Sequence, residues 1–126
     1  MSRLASQEKG SYYPTPEPVI PMIIQRLSSR YPSGDAQEMR FLDPCVGKGR
    51  AVALLAEEYR EHIKRLWHYS TVFPQVLTYG IEPNIARVKQ ARKRVDDVLH
   101  ASYFQSLMSN GDSTDGGFQL AFVNPP

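Results

Sequence analysis

The chain contains 126 residues, of which 41% are hydrophobic and 22% charged, and its formal net charge is +2. These values fit a globular protein with one core and exclude both a disordered chain and a strongly basic one made for nucleic acid. The single cysteine, Cys45, excludes a disulfide framework and a cysteine-based metal site. No run of about 18 apolar residues and no signal-like N-terminus is present, so we expect one cytoplasmic domain over residues 1–126 with no membrane partner.

The chain begins with a segment, residues 1–16, whose prolines and tyrosines predict a stiff, extended arm. Thr15 followed by Pro16 suits the start of a helix, because threonine caps helices and proline fits their first position. Apolar residues at helical spacing extend this helix to about Arg30.

The remaining elements alternate between strands and helices. Their predicted bounds are strand 40–43, helix 50–66, strand 76–82, helix 84–95, strand 98–101 and strand 118–123. The residues predicted to face the core from the two helices are Val52, Leu55, Tyr59, Ile63, Val88, Ala91 and Val95. Such alternation predicts an α/β fold with a doubly wound parallel sheet.

A glycine-containing turn joins the first predicted strand to the helix at 50–66. Its sequence is Asp43-Pro-Cys-Val-Gly-Lys-Gly49. Gly47 and Gly49 let the backbone approach a ligand closely, and the helix that follows presents its electropositive end. A dinucleotide loop would require a third glycine where Val52 stands, and a P-loop would require Ser or Thr in place of Gly49. A plain strand-to-helix turn remains the alternative.

An acidic residue ends the second predicted strand. Glu82, followed by Pro83, is placed to accept two hydrogen bonds from the ribose hydroxyls of a nucleoside. The alternative is an acid that favours the dipole of the following helix.

The turn over 43–49 resembles the cofactor loop of class I S-adenosylmethionine-dependent methyltransferases. Asn124-Pro-Pro126 resembles the start of the Asn-Pro-Pro-aromatic motif in their N6-adenine DNA branch, and Tyr13-Pro-Thr-Pro16 resembles the arm that precedes the first strand there. The resemblance covers nearly the whole chain. It implies a Rossmann-like fold, S-adenosyl-L-methionine as cofactor and the exocyclic amine of adenine in DNA, rather than RNA, as substrate.

The same resemblance implies a role for each segment in cofactor binding. The arm and the loop enclose the methionine part, Asp43 holds its charged amino-acid end, and Glu82 binds the ribose. The family has an aspartate for the adenine amine where Ser102 stands, so here the serine and the ring of Tyr103 take that place. The cofactor-binding residues are then Tyr13, Thr15, Pro16, Asp43, Pro44, Cys45, Gly47, Gly49, Glu82, Pro83, Ser102, Tyr103 and Asn124.

Catalysis is assigned to Asn124, Pro125 and Pro126. An exocyclic amine is a poor nucleophile because its lone pair is delocalised into the ring. Hydrogen bonds to the Asn124 side-chain oxygen and the Pro125 carbonyl would favour a pyramidal nitrogen that attacks the sulfonium methyl in line. The sequence ends before the aromatic residue that stacks on a flipped-out base in the family. We therefore expect the 126-residue chain alone to be inactive.

Two other functional hypotheses remain open. One is a methyltransferase acting on an RNA base or on a protein glutamine, since those amines and amides suit a similar Asn-Pro-Pro site. The other is a truncated, non-catalytic module that binds cofactor and transfers nothing. His62, His68 and His100 lack the spacing of metal ligands, so no metal is expected.

Overall fold

A computed structural model describes residues 14–27, 38–67, 73–106 and 117–124. Strands and helices alternate along these segments, as the sequence predicted. The elements, in chain order, are α1 (Val19–Arg26), β1 (Glu38–Asp43), α2 (Arg50–Leu66), β2 (Gln75–Glu82), α3 (Ile85–Ala91), β3 (Asp97–His100), a 3-10 turn (Tyr103–Gln105) and β4 (Leu120–Ala121).

The four strands form one sheet in the order β3-β2-β1-β4, and every neighbouring pair is parallel. The predicted parallel α/β sheet is thereby confirmed. From β1 the chain moves outward through β2 to β3 and then returns, so that β4 lies on the other side of β1. Because all strands run in one direction, their carboxyl ends lie at the same edge of the sheet. Residues that follow β1 and β2 are therefore neighbours.

One face of the sheet carries the main core. Side chains alternate along a strand, and Met39 and Phe41 of β1 belong to a buried cluster that includes residues of all three helices. The Phe41 ring meets Tyr59 of α2 edge-on, with centroids 5.1 Å apart. All seven helix residues predicted to face the core are buried, which confirms that part of the sequence analysis.

The opposite face of the sheet carries Leu42, Tyr79 and Ile81, which lie outside that cluster. Tyr79 packs edge-on against Phe118, with ring centroids 5.4 Å apart, while Leu99 of the edge strand is exposed. The three helices of the described segments all pack on the first face. The second helix layer of a doubly wound fold thus stays a prediction.

The first helix differs from its predicted bounds. It begins at Val19 rather than at Pro16, and Pro18, not Thr15, occupies its N-cap position. The two prolines precede it in a turn, in which the N–H of Val19 donates to the carbonyl of Pro16 over 3.1 Å. At the other end Leu27 is extended, with ψ of 127°, so the helix ends at Arg26 rather than Arg30.

Two other elements are shorter than predicted. The helix that Asn84 caps is α-helical only to Ala91, after which turn-type hydrogen bonds lead to Val95. The last strand is limited to Leu120 and Ala121, and the N–H groups of Gln119 and Phe122 on either side of it donate to the carbonyls of Arg40 and Leu42 in β1. None of the helices in the described segments is long and apolar enough to cross a membrane.

Candidate functional site

The loop after β1 leads into α2 and is hydrogen-bonded to β2, the neighbouring central strand of the sheet. The N–H of Val46 donates to the carbonyl of Ile81 in β2 over 3.1 Å, and the N–H of Gly49 donates back to Val46 over 2.8 Å. Gly47 and Gly49 have φ values of 55° and 80°, in the left-handed region that favours glycine. The two glycines therefore allow the sharp turn from strand to helix.

Gly49 also meets a packing requirement. A Cβ at this position would lie 2.7 Å from Cγ2 of Val95 and 3.1 Å from the Cα of Ala91. The sequence predicted that Gly49 lets a ligand approach the backbone closely. In the structure, Ala91 at the end of α3 and Val95 beyond it occupy that space. Gly47, whose N–H points toward the end of β2, is the glycine that shapes the site.

Glu82 at the end of β2 binds the loop directly. Its Oε2 accepts the N–H of Gly47 over 3.1 Å. Its Oε1 accepts the N–H of Asn84 and Nε of Arg87, each over 2.9 Å. The residue is only 4% exposed, so these three donors surround a carboxylate that has little contact with solvent. Glu82 thus joins the loop after β1 to the first turn of α3.

Asp43 is the other buried acid of this edge. It is 2% exposed, and its Oδ1 accepts the N–H of Cys45 over 2.9 Å. Burial raises the pKa of its carboxyl to about 6, the hydrogen bond from Cys45 opposes that rise, and the nearby charge of Glu82 adds to it. The raised pKa of Asp43 is a cost in ionisation energy of a kind that is typical of functional sites.

The surroundings of the Cys45 thiol do not activate it as a nucleophile. Its pKa is raised by burial and by the charges of Asp43 and Glu82, so the thiol is protonated at neutral pH. Cys45 is therefore a small residue of the loop rather than a nucleophile.

A cavity opens beside Asp43 at the carboxyl ends of β1 and β4. Its walls come from the arm, the loop, the start of α2 and the segment after β4. The lining residues are Pro14, Thr15, Asp43, Cys45, Val46, Arg50, Ala51, Phe122 and Asn124. In parallel α/β sheets, ligands bind outside the carboxyl ends of the strands where the strand order reverses. This sheet reverses between β1 and β4, so the cavity occupies that position.

Thr15 and Asn124 meet at the cavity. Nδ2 of Asn124 donates to Oγ1 of Thr15 over 2.9 Å, although 109 residues separate them in the sequence. This contact turns the Thr15 hydroxyl toward the segment after β4, and the N-cap position of α1 falls at Pro18 instead. It also leaves Oδ1 of Asn124 as the amide atom available to accept a hydrogen bond.

The remaining predicted residues lie around this centre. Pro44 is buried in the loop, and Pro16 is exposed beside the arm. Pro83 follows Glu82, and its carbonyl lies 3.0 Å from Nε2 of His100.

Ser102 follows β3, and its carbonyl accepts the N–H of Gln105 over 3.0 Å and the hydroxyl of Ser106 over 2.8 Å. Tyr103 is 45% exposed and packs edge-on against Phe104. Neither Ser102 nor Tyr103, the predicted adenine contacts, lines the cavity. Tyr13, Pro125 and Pro126 lie outside the described residues.

Three residues of the site were missed by the sequence analysis. Arg87 has no predicted functional role, yet its guanidinium pairs with Glu82. Gly80 was seen only as part of a strand, whereas a Cβ there would lie 2.6 Å from Val46. Arg50 was taken only as the start of a helix, and it lines the cavity. For Arg87, the available sequence signal was a basic residue five positions after Glu82, the acid that ends β2.

No group of three or more His, Cys, Asp or Glu side chains in the described segments is arranged to hold a metal ion. Comparison of the sequence with models of known protein families gave no match, and comparison with curated proteins gave no relative.

Proposed function

We propose that the chain is the cofactor-binding part of an S-adenosylmethionine-dependent methyltransferase with a Rossmann-like, doubly wound fold. One observation carries the proposal. The segments chosen from the sequence as an arm, a cofactor loop and an Asn-Pro-Pro site converge on a single cavity at the strand-order reversal, through Thr15, Asp43 and Asn124. Thr15 and Asn124 are 109 positions apart in the chain, so it is the fold that brings them together at this cavity.

The chemistry of the cavity suits this cofactor. Asp43 offers a buried carboxylate to an ammonium group, while Val46, Ala51 and Phe122 offer an apolar wall to a thioether or sulfonium chain. Glu82 lies beyond the glycine loop on the neighbouring strand, on the side where a nucleoside would extend. Its hydrogen bonds from Gly47, Asn84 and Arg87 leave about one of the roughly four acceptor positions of the carboxylate for a ribose hydroxyl.

The substrate part of the proposal is adenine in DNA. Oδ1 of Asn124 is the acceptor that would take an N–H of the exocyclic amine, because Nδ2 is already engaged by Thr15. The amine nitrogen would attack the methyl carbon as the carbon–sulfur bond breaks, and the thioether would leave as S-adenosylhomocysteine. The surplus proton on nitrogen would then pass to solvent. Positioning, rather than a strong base, supplies the rate.

Titration calorimetry with S-adenosylhomocysteine tests the cofactor proposal. We expect saturable binding, weakened about tenfold by Asp43→Asn, the scale of one charge-assisted hydrogen bond. Asp97→Asn, an exposed acid at the start of β3, is the matched control and leaves binding unchanged. A folded sample that does not bind the ligand would refute the proposal.

Transfer of labelled methyl groups tests the substrate class in the natural gene product that contains this chain. Adenine-containing DNA, the corresponding RNA and a glutamine peptide are compared side by side. We expect label in DNA only, and its loss in Asn124→Ala while S-adenosylhomocysteine still binds. Label in RNA or in the peptide would replace DNA as the substrate.

A further inference from the structure

Two side chains of opposite charge line the cavity. Asp43 is a buried carboxylate at the end of β1, and Arg50 is the first residue of α2. The wall also includes small and apolar residues, among them Val46 of the loop and Ala51 of α2. A cavity with an anion at one side and a cation at another fits a ligand that carries both charges, such as the α-ammonium and α-carboxylate of an amino acid.

Arg50 already forms an ion pair, but with an exposed partner. Its guanidinium contacts Oε1 of Glu17, which lies between the arm and α1, and the two side chains are 58% and 54% exposed. Exposed pairs of this kind contribute little net stability, because solvent screens them and two long side chains must be ordered. A ligand carboxylate can therefore replace Glu17 at small cost.

We propose that Arg50 binds the α-carboxylate of the cofactor while Asp43 binds its α-ammonium, and that the ligand carboxylate displaces Glu17 from Arg50. This assignment rests on the proposed function. A planar guanidinium suits a carboxylate because two parallel N–H groups meet its two oxygens. The amino-acid end of the ligand would thus be recognised as a zwitterion, and Arg50 would determine that specificity.

Two ligands that differ only in this end test the assignment. S-adenosylhomocysteine carries the α-ammonium and α-carboxylate, and 5′-methylthioadenosine has the same nucleoside thioether without them. We expect Arg50→Gln to weaken the first about tenfold, as for a lost charge-assisted hydrogen bond, and to change the second less than about twofold. Arg65→Gln, at the far end of α2, controls for the loss of one positive charge and changes neither.

Glu17→Gln supplies a test with the opposite sign. Removing the competing carboxylate should tighten binding of S-adenosylhomocysteine about two- to threefold and leave 5′-methylthioadenosine unchanged. Circular dichroism confirms that each variant is folded. An Arg50→Gln protein that keeps its affinity for S-adenosylhomocysteine, or loses affinity for both ligands equally, overturns the role of Arg50 alone. Failure of the folded wild type to bind S-adenosylhomocysteine overturns the proposed function as well.

Discussion

The backbone N–H of Gly47 donates to Oε2 of Glu82 across 3.1 Å and ties the loop after β1 to the end of β2. Asn84 and Arg87 bind the other oxygen of the same carboxylate. Glu82 is therefore a structural centre of this edge, whatever ligand it meets. Its side chain is 5% exposed and that of Arg87 is 16% exposed, so water cannot easily replace either partner.

We expect Glu82→Gln to lower the free energy of unfolding by about 2–3 kcal/mol, because a neutral amide cannot satisfy three donors as a carboxylate does. Arg87→Gln should cost less, since both backbone donors to Glu82 remain. Urea unfolding of the two variants measures the difference. A larger loss in Arg87→Gln would show that the ion pair, and not the backbone bonds, holds the edge together.

Gly80 of β2 is a second point where the loop contacts the sheet closely. A Cβ there would lie 2.6 Å from Cβ and Cγ1 of Val46. We expect Gly80→Ala to destabilise the fold by about 1–3 kcal/mol through overpacking. In a Val46→Ala background the same change should cost less, because two of the three crowded side-chain atoms are gone. Thermal unfolding of the four proteins gives the coupling energy, and additive effects would contradict the proposed steric origin.

The sequence predicted best where local signals were sufficient. The bounds of α2 were correct because a long amphipathic stripe follows a glycine turn, and Asn84 was recognised as a helix start because its side chain caps locally, accepting the N–H of Ala86 and of Arg87. The parallel sheet followed from the alternation of strands and helices.

Prediction from the sequence failed where a residue distant in the chain determines the local structure. Thr15 has the chemistry of an N-cap, but its hydroxyl binds Asn124, which no local pattern reveals. Similarly, only Leu120 and Ala121 of the apolar run at 118–123 form a strand beside β1. The pairing of Arg87 with Glu82 depends on the turn at Pro83 and Asn84, which helical spacing alone does not predict.

The buried carboxyl of Asp43 should make stability depend on pH. The pKa of Asp43 rises from 3.8 to about 6 on folding, so at pH values between these two the protein takes up a proton when it folds. The free energy of unfolding therefore falls by about 3 kcal/mol as the pH rises from about 4 to about 6, and the loss is complete above pH 6. Asp43→Asn keeps an acceptor for the N–H of Cys45 but carries no charge.

We expect Asp43→Asn to be more stable than the wild type at pH 7.5 by about 1–3 kcal/mol, and the gain to shrink toward zero near pH 4. Chemical unfolding at a series of pH values measures it. The control Asp97→Asn changes an exposed acid at the start of β3 and should show no such trend. A constant difference across the pH range would mean that Asp43 does not titrate as its burial implies.

The same carboxyl should control ligand binding, but with the opposite sign. If the ionised form of Asp43 pairs with the ligand ammonium, affinity is lost as the pH falls through about 6, where the free protein takes up the proton. At pH 5 about one molecule in eleven has the ionised form, so the Kd for S-adenosylhomocysteine should rise about tenfold above its value at pH 7.5.

Two comparisons separate this effect from general acid destabilisation of the protein. Binding of 5′-methylthioadenosine, which lacks the ammonium, should not follow the titration of Asp43, and the Asp43→Asn protein should bind S-adenosylhomocysteine weakly at every pH. Calorimetry between pH 5 and 7.5 measures all three. An affinity of the wild type for S-adenosylhomocysteine that does not change through pH 6 would remove Asp43 from the ammonium site. Because protonation of Asp43 weakens binding, the increase in thermal stability produced by S-adenosylhomocysteine should be smaller at pH 5 than at pH 7.5.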